Sequence, residues 1–205
     1  MDEQRATVRA GYDAMADSYD AERGRSPAAN DGLVALHDSL PEHPRVLDLG
    51  CGAAEGPLQF LPDERAVGLD FSTEQLRLAR GRTDAALVAG EMTTLPFADD
   101  SFDAVTAFYS VIHLPLESHR DCYEEVARVL RPGGEFLFSI GDDWVGENDD
   151  WLDSGERMAW SFPPMAETEE LLEAAGLSVV ERYGVRSEMD DGEWPFLRCR
   201  PETQG

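Results

Sequence analysis

Four short apolar runs divide the middle of the chain, and none of them alternates strictly between apolar and polar positions. They cover residues 46–49, 66–70, 86–89 and 102–108. A strand that is buried on both faces has this character, and such strands occur in parallel sheets that helices cover. Segments with helical spacing separate the runs. The pattern therefore predicts an α/β protein built on a doubly wound, three-layer Rossmann-like sheet.

The remaining elements follow from helical spacing and from turn residues. We predict further strands at 135–140, 177–184 and 194–200, and helices at 3–22, 31–40, 117–130 and 167–175. Another helix is expected after Ser72, which has Gln75 as its capping-box partner. The segment 142–165 is rich in Asp, Trp and Pro and has no clear period, which predicts a long loop of functional interest.

Composition limits the class of the protein. The 205 residues fit a single domain, for which we take 1–205 as the bounds. Asp and Glu number 42 against 17 basic residues, all of them Arg, and the formal charge is −25. Such a charge disfavours nucleic acid and membrane surfaces as partners. It fits either a plain solvated surface or adaptation to high intracellular salt, and the lack of Lys favours adaptation.

Location and metal content are also bounded by the sequence. No apolar stretch is long enough to span a membrane, and the acidic first residues do not resemble a signal peptide. The three cysteines, Cys51, Cys122 and Cys199, are far apart and lack metal spacing. The acids of 142–153 do not have EF-hand spacing. We therefore expect a cytoplasmic protein with no metal site.

A glycine turn follows the first apolar run. Gly50 and Gly52 allow a tight turn and a close backbone approach to a ligand, and we expect the turn to open a helix. Asp70 ends the second run, where a carboxylate can accept hydrogen bonds from two ribose hydroxyls. A dinucleotide fingerprint has glycine where this chain has Glu55, and a carboxylate there would repel a pyrophosphate. A nucleoside ligand without phosphate is therefore favoured.

Five ordered motifs carry a family resemblance over about 40–185. They are Val46-Leu47-Asp48-Leu49-Gly50-Cys51-Gly52, Gly68-Leu69-Asp70-Phe71-Ser72, Gly90-Glu91-Met92-Thr93-Thr94-Leu95-Pro96-Phe97, Ser101-Phe102-Asp103-Ala104-Val105 and Arg131-Pro132-Gly133-Gly134. With them the chain resembles the class I S-adenosylmethionine-dependent methyltransferases, especially their small-molecule type 11 branch. The resemblance implies a mostly parallel seven-stranded sheet with an antiparallel last strand, and S-adenosyl-L-methionine as cofactor.

The same resemblance implies roles at the glycine turn and after the second strand. Asp48 would orient the amino group of the cofactor's methionine portion. Gly50 and Gly52 would line the methionine and ribose portions. Asp70 would hold the ribose hydroxyls.

Adenine contacts are implied in the third motif and beside Asp70. Glu91, where the family usually has Asp, would accept from the adenine amino group, with the Met92 amide beside the ring. Phe71 would flank the adenine or pack in the core. The segment 1–40 resembles the family's cofactor-covering helices, in which Tyr12 or Tyr19 would close over the cofactor or pack the first helix.

Catalytic candidates lie after the fourth strand. Methyl transfer needs positioning, and it needs a base only where the acceptor loses a proton. His113 is the best-placed base, unless it caps the turn at Leu114-Pro115, and Tyr109 is a second candidate. We expect His119 on an exposed helix face and Cys51 in a packing role.

Aromatic residues of 142–165 leave two alternatives open. Trp144, Trp151, Trp160 and Phe162 would either line an acceptor pocket or pack this segment on the sheet. The favoured function is methyl transfer to a small-molecule acceptor by a monomer or homodimer. A non-catalytic cofactor-binding module and, less favoured, a nicotinamide-dependent oxidoreductase are the alternatives.

Overall fold

The computed structural model describes residues 2–23, 31–60, 65–186 and 192–202, without the side chains of 22 and 23. Helices α1 to α5 span Glu3–Arg23, Asp31–Ser39, Thr73–Ala79, His119–Val129 and Met165–Ala174. Strands β1 to β9 span Val46–Leu49, Ala66–Asp70, Ala86–Ala89, Phe102–Ala107, Leu130–Ser139, Trp144–Asn148, Met158–Phe162, Leu177–Arg186 and Glu193–Pro201. Short 3-10 turns lie at Pro57–Gln59, Val111–His113, Leu116–Ser118 and Trp151–Asp153.

Seven strands form one sheet in the order β3-β2-β1-β4-β5-β9-β8. The strands from β3 to β5 in this order are parallel, whereas β9 runs antiparallel to both β5 and β8. The predicted fold class, with its antiparallel last strand, is confirmed. The order reverses at β1, and β1 lies between β2 and β4. This reversal places a ligand crevice at the carboxyl ends of the central strands.

Helices cover both faces of the sheet. On one face, α4 and α5 pack Tyr123, Val126 and Leu172 against Phe136 and Phe138 of β5, all of them fully buried. On the other face, α2 packs against β1, β4 and β9, and α3 packs against β2. Because residues of β1, β2 and β4 are buried from both sides, these strands read as continuous apolar runs in the sequence.

Two sequence predictions about local structure are wrong. The segment 142–165 contains the β6/β7 hairpin, which pairs Trp144 with Phe162. A helix was expected directly after the glycine turn, but the described residues there contain only the 3-10 turn Pro57–Gln59, with Pro57 in its first position. Residues 61–64 lie outside the described part of the chain.

Two further features bear on class and location. Within the described ranges, no helix is both long and apolar enough to cross a membrane. All three cysteines are buried and free. Burial raises the pKa of the Cys51 thiol well above its usual value, which suits the expected packing role and not a nucleophile.

Candidate active site

A cavity of about 490 Å³ opens at the carboxyl ends of β1, β2 and β4. Ligands of α/β sheets bind at this edge, and the volume is that of a small-molecule site. Its walls come from the glycine turn, from the segment 90–92 after β3, from the segment 108–114 after β4, from α1 and from the end of β8. Three of the five sequence motifs, those at 46–52, 68–72 and 90–97, contribute residues to this wall.

The glycine turn has the left-handed backbone that its composition predicts. Gly50 and Gly52 have φ angles of +68° and +53°. A Cβ atom on Gly50 would lie 2.3 Å from the Cβ of Ser110, so no larger residue fits there without a shift. The amides of Gly50 and Cys51 both donate to the carbonyl of Leu69, at 2.7 and 3.1 Å. These bonds tie the turn to the end of β2.

Asp48 is a buried carboxylate in the cavity wall. Its side chain is 2% exposed, and the hydroxyl of Thr106 donates to Oδ1 at 2.7 Å. No described residue hydrogen-bonds to Oδ2. Burial raises the pKa of Asp48 to about 7, opposed by the Thr106 hydrogen bond and assisted by the negative charge of Asp70. The site therefore holds an acceptor atom that a cationic donor would satisfy.

Asp70 ties the glycine turn to the start of α3. Its Oδ2 accepts from the amide of Gly52 at 2.9 Å and its Oδ1 from the amide of Ser72 at 2.8 Å. Burial raises the pKa of Asp70 to about 6, although both amide hydrogen bonds lower it. Each carboxylate oxygen keeps a lone pair for a ligand hydroxyl.

The predicted adenine residues share the cavity wall beyond Asp70. Phe71, Glu91 and Met92 all line it. Phe71 also packs against the aromatic cluster under α1, so both readings of this residue fit the structure. The guanidinium of Arg5 lies 3.7 Å from the Glu91 carboxylate and donates to Thr93 Oγ1 at 2.8 Å. Helix α1 thereby contacts the segment after β3.

Helix α1 crosses the cavity and is fastened to α3 by an acidic stripe, defined as Asp13, Asp17 and Asp20. Asp13 accepts from the Ser72 hydroxyl at 2.7 Å, and Arg77 donates to Asp17 at 2.9 Å. Arg82 forms an ion pair with Asp20. Tyr12 and Tyr19 line the cavity from the same helix. Helix α1 therefore forms part of the cavity wall and is joined to α3 through residues with helical spacing.

Glu55 does not present an isolated negative charge to the cavity. Its carboxylate lies 3.0 Å from Nη1 of Arg82, which also pairs with Asp20. The expected repulsion of a phosphate by Glu55 is thus reduced by a neighbouring cation. The described residues of this turn form no α-helix whose amino end could donate to a phosphate.

His113 is held by hydrogen bonds to two other elements. Its Nδ1 lies 2.9 Å from the carbonyl oxygen of Ala159, and its Nε2 lies 2.9 Å from the hydroxyl of Tyr12. A carbonyl only accepts, so Nδ1 carries the proton, and Nε2 of the neutral ring accepts from Tyr12. Both ring nitrogens thus have partners on other elements, which favours a site role over capping of the turn at Leu114-Pro115.

His119 differs from its predicted exposed position. It is fully buried, with Nε2 3.1 Å from the carbonyl oxygen of Ser161 and Nδ1 3.3 Å from the hydroxyl of Tyr123. Burial lowers its pKa to about 4. The prediction failed because the hairpin that covers His119 was read as a loop.

Tyr109 lies in the cavity wall with a left-handed backbone, at a φ of +52°. Its amide donates to Ser139 Oγ at 2.6 Å, and its ring packs edge-on against Trp194. By contrast, no side chain of 142–165 lines the cavity. Its aromatic residues pack against one another, against α1 and against His113, which agrees with the packing alternative.

Sequence reasoning missed several residues of the site. Thr106 could have been found, because parallel pairing sets β4 directly beside Asp48. Gln75 was read only as part of a helix cap, yet it lines the cavity. A second wall had no sequence signal at all, and it consists of Asp31 and the β8 residues Tyr183, Gly184, Val185 and Arg186.

Comparison with known proteins gives a consistent result. The profile of a family described as "Methyltransferase domain" matches residues 46–134. The chain is 30% identical over 163 residues to O-methyltransferase rstn1 of Aspergillus nomiae, with 69% of this chain and 68% of that protein covered. Other curated relatives, such as the Methanocaldococcus jannaschii protein MJ1252 and a Mycobacterium demethylmenaquinone methyltransferase, are matched over 56% and 40% of their own length.

Solved structures share the fold. A methyltransferase of Haloferax volcanii, in complex with the Trm112 methyltransferase activator, has a TM-score of 0.73 at 24% identity, over 97% of this chain and 99% of that one. The 1,6-didemethyltoxoflavin-N1-methyltransferase of Burkholderia thailandensis, with its substrate and S-adenosylhomocysteine bound, has a TM-score of 0.73 at 20% identity, with coverages of 98% and 89%.

Proposed function

The chain belongs to the class I S-adenosylmethionine-dependent methyltransferases, and we propose that it transfers a methyl group from that cofactor to a small-molecule acceptor. The observation that carries the proposal is the cavity at the carboxyl edge of the sheet, with buried carboxylates in its wall. These carboxylates, Asp48 and Asp70, belong to two of the motifs that carry the family resemblance.

The cavity wall suits the chemistry of S-adenosylmethionine. Asp48 Oδ2 lacks a partner among the described residues, and an ammonium group would satisfy it. Asp70 has lone pairs for ribose hydroxyls, while Glu91 and Met92 would meet the adenine beside Phe71. Gly50 and Gly52 leave room for the backbone to approach the ligand closely. Tyr19 would cover the site from α1.

The protein's own work in such a reaction is mostly positioning. When bound, the cofactor supplies an electrophilic methyl group on a sulfonium sulfur, so the reactivity does not need a covalent enzyme intermediate. The turn and α1 would fix the cofactor, and the second wall would orient the acceptor. The buried negative charges of Asp48 and Asp70 favour a cationic ligand in this low-dielectric space.

His113 is our proposed proton acceptor, acting with Tyr12. The Ala159 carbonyl holds the ring in the tautomer whose Nε2 lone pair faces Tyr12. A proton leaving the acceptor would pass to the Tyr12 oxygen as the Tyr12 proton moves to Nε2. Tyr109 is proposed as an acceptor contact, because its ring is held at the cavity by Trp194.

The acceptor itself is proposed to be small. The second wall offers the aromatic ring of Tyr183, the apolar Val185, and one charge of each sign in Asp31 and Arg186. Of the proteins compared, rstn1 is an O-methyltransferase and the Burkholderia thailandensis protein methylates a ring nitrogen. We propose a cytoplasmic monomer or homodimer, and the Haloferax volcanii complex adds an activator protein as a further kind of partner to test.

A non-catalytic cofactor-binding module is the second candidate. The space beside the second wall argues against it, because no side chain of the described residues fills that space. Side chains would fill the acceptor space of a protein that had lost its reaction, whereas here the cavity continues from the glycine turn to Tyr183. An oxidoreductase with a dinucleotide is disfavoured, because the described part of the glycine turn carries no helix to receive a pyrophosphate.

Two measurements test the proposal. Calorimetry with S-adenosylhomocysteine should give binding in the micromolar range or tighter, and none with NAD. Incubation with S-adenosylmethionine and a panel of phenols, catechols and heteroaromatic amines should release S-adenosylhomocysteine with at least one acceptor. Binding without release by any acceptor would favour the non-catalytic module, and an absence of binding would exclude both functions.

A further inference from the structure

Gln75 is buried in the cavity wall with an unused hydrogen-bond donor, and we propose that its amide binds a ribose hydroxyl of the cofactor. The inference rests on the proposed function, because it assigns one more contact within the same site. The residue lies in the first turn of α3, one turn after Asp70.

The donor of Gln75 is conspicuous because it is buried. The side chain is 2% exposed, and Nε2 has no hydrogen-bond partner in the part of the chain that the structure describes. A buried amide donor without a partner costs free energy that a bound acceptor would recover. The helix cap cannot supply that partner, because the cap uses the backbone amide of Gln75, which donates to Ser72 Oγ at 3.2 Å.

Gln75 and Asp70 flank the same glycine. The Gly52 amide donates to Asp70 Oδ2 at 2.9 Å, and a Cβ atom on Gly52 would lie 3.7 Å from Oε1 of Gln75. The Gln75 amide and the Asp70 carboxylate thus stand on two sides of the turn, and both line the cavity. Because Gly52 has no side chain, nothing at this position lies between a ligand and either Gln75 or Asp70.

This pair suits a hydroxyl that donates and accepts at once. Asp70 is an acceptor when ionised, and the Gln75 amide group adds donors beside it. A vicinal diol supplies hydroxyl hydrogens for the carboxylate and hydroxyl oxygens for the amide. The Gln75 amide would also favour ribose over deoxyribose, because a deoxyribose would leave the Gln75 donor without a partner.

The test replaces Gln75 with a side chain of similar length and no donor. Gln75→Met should weaken S-adenosylhomocysteine binding by about tenfold, which is the factor for one neutral hydrogen bond. The melting temperature of the ligand-free variant should be equal or higher, because the buried unpaired donor is gone. Gln59→Met, at an exposed glutamine, serves as the matched control and should bind like the wild type.

A second ligand locates the contact. 5′-Methylthioadenosine keeps the ribose and lacks the amino-acid end, so Gln75→Met should weaken its binding by the same factor. With the 2′-deoxy and 3′-deoxy forms of this nucleoside, the loss should vanish for the hydroxyl that Gln75 contacts. Gln75→Glu, which keeps the length and places an acceptor next to Asp70, should weaken binding more than Gln75→Met.

Each other outcome has one meaning. Equal affinities of the wild type and both Gln75 variants overturn the contact while leaving the proposed function intact. A loss seen with S-adenosylhomocysteine and absent with 5′-methylthioadenosine overturns the ribose assignment. A lower melting temperature together with an equal loss for all four ligands overturns the contact in favour of packing. A wild type that binds none of the ligands overturns the proposed function itself.

Discussion

The hydroxyl of Tyr12 lies 2.9 Å from Nε2 of His113, although 101 positions separate the two residues in the chain. The contact joins α1 to the turn after β4 at the cavity wall. Gln4, about two turns before Tyr12 in α1, donates to the main-chain oxygen of His113 at 3.1 Å. Helix α1 therefore contacts His113 at its main chain and at its imidazole, and the Ala159 carbonyl holds the other ring nitrogen.

Removal of the Tyr12 hydroxyl should slow turnover without loosening the cofactor. Tyr12→Phe keeps the ring that packs edge-on against Tyr19 and removes only the hydroxyl that hydrogen-bonds to His113. With an acceptor that loses a proton, we expect kcat to fall by about 10²-fold, the lower range for a lost acid–base group. His113→Gln should fall at least as far. Calorimetric affinity for S-adenosylhomocysteine should stay within twofold.

The control for this pair is His37→Gln, at a histidine that is exposed and outside the cavity. Its kcat should equal that of the wild type. If Tyr12→Phe and His113→Gln also keep the wild-type kcat at every pH, the pair takes no part in proton removal.

Loss of the Asp70 carboxylate should weaken cofactor binding. Asp70→Ala removes the acceptor of the Gly52 and Ser72 amides together with the one offered to the ribose. We expect S-adenosylhomocysteine binding to weaken by about 1.5–3 kcal/mol, the scale of a hydrogen bond to a charged group. Asp84→Ala, at an exposed acid between α3 and β3, is the control. Unchanged affinity in Asp70→Ala would refute the ribose assignment.

The buried carboxyl of Asp48 should make the ligand-free protein less stable as the pH rises. Its pKa is raised from 3.8 to about 7 in the folded chain, so the folded state holds the proton more tightly than the unfolded state. The resulting stabilisation is complete below pH 4 and is lost as the pH rises to about 7. Asp48→Asn should remove the Asp48 part of this slope and leave the smaller part that comes from the raised pKa of Asp70. It should also raise the free energy of unfolding at pH 8 by an amount on the order of 4 kcal/mol.

Urea unfolding at pH 5 and pH 8 measures this effect. The same variant should bind S-adenosylhomocysteine more weakly, since an amide does not attract an ammonium as a carboxylate does. Parallel pH profiles of the wild type and Asp48→Asn would contradict the burial argument.

Salt should stabilise the protein. At a net charge of −25, mutual repulsion favours the unfolded chain at low ionic strength. Raising KCl from 0.1 M to 1 M shortens the screening length from about 10 Å to about 3 Å, and the thermal midpoint should rise. Sucrose of equal osmolality is the control for effects other than screening. A midpoint that stays flat or falls would remove the idea of salt adaptation.

The sheet was predictable because burial from both sides leaves a mark in each strand's own residues. The strands Val46–Leu49 and Ala66–Asp70 have the predicted bounds. Asp48 and Asp70 within them line the cavity. Asp48 and Asp70 could be predicted as site residues from the local sequence alone, because each motif indicates both a strand and the turn that follows it.

The rest depended on contacts between distant parts of the chain. Strand β6 is mostly exposed and β7 is buried along its whole length, so neither strand alternates between apolar and polar positions in the sequence. The burial of His119 depends on Ser161 of that hairpin, 42 positions away. Gln75 fits a helix-cap pattern in the sequence, and this pattern gives no indication that its side chain lines the cavity.

The Ala159 carbonyl lies on a hairpin that supplies no side chain to the cavity, yet it fixes the proton on His113. Under the proposed function, the hairpin carbonyl that orients His113 and the second wall of Asp31 with the end of β8 would serve proton transfer and acceptor binding from separate segments. For protein engineering, this separation means that acceptor preference can be diversified at Tyr183, Val185 and Arg186 as a library. Such a library would leave Tyr12, His113 and Ala159 unchanged.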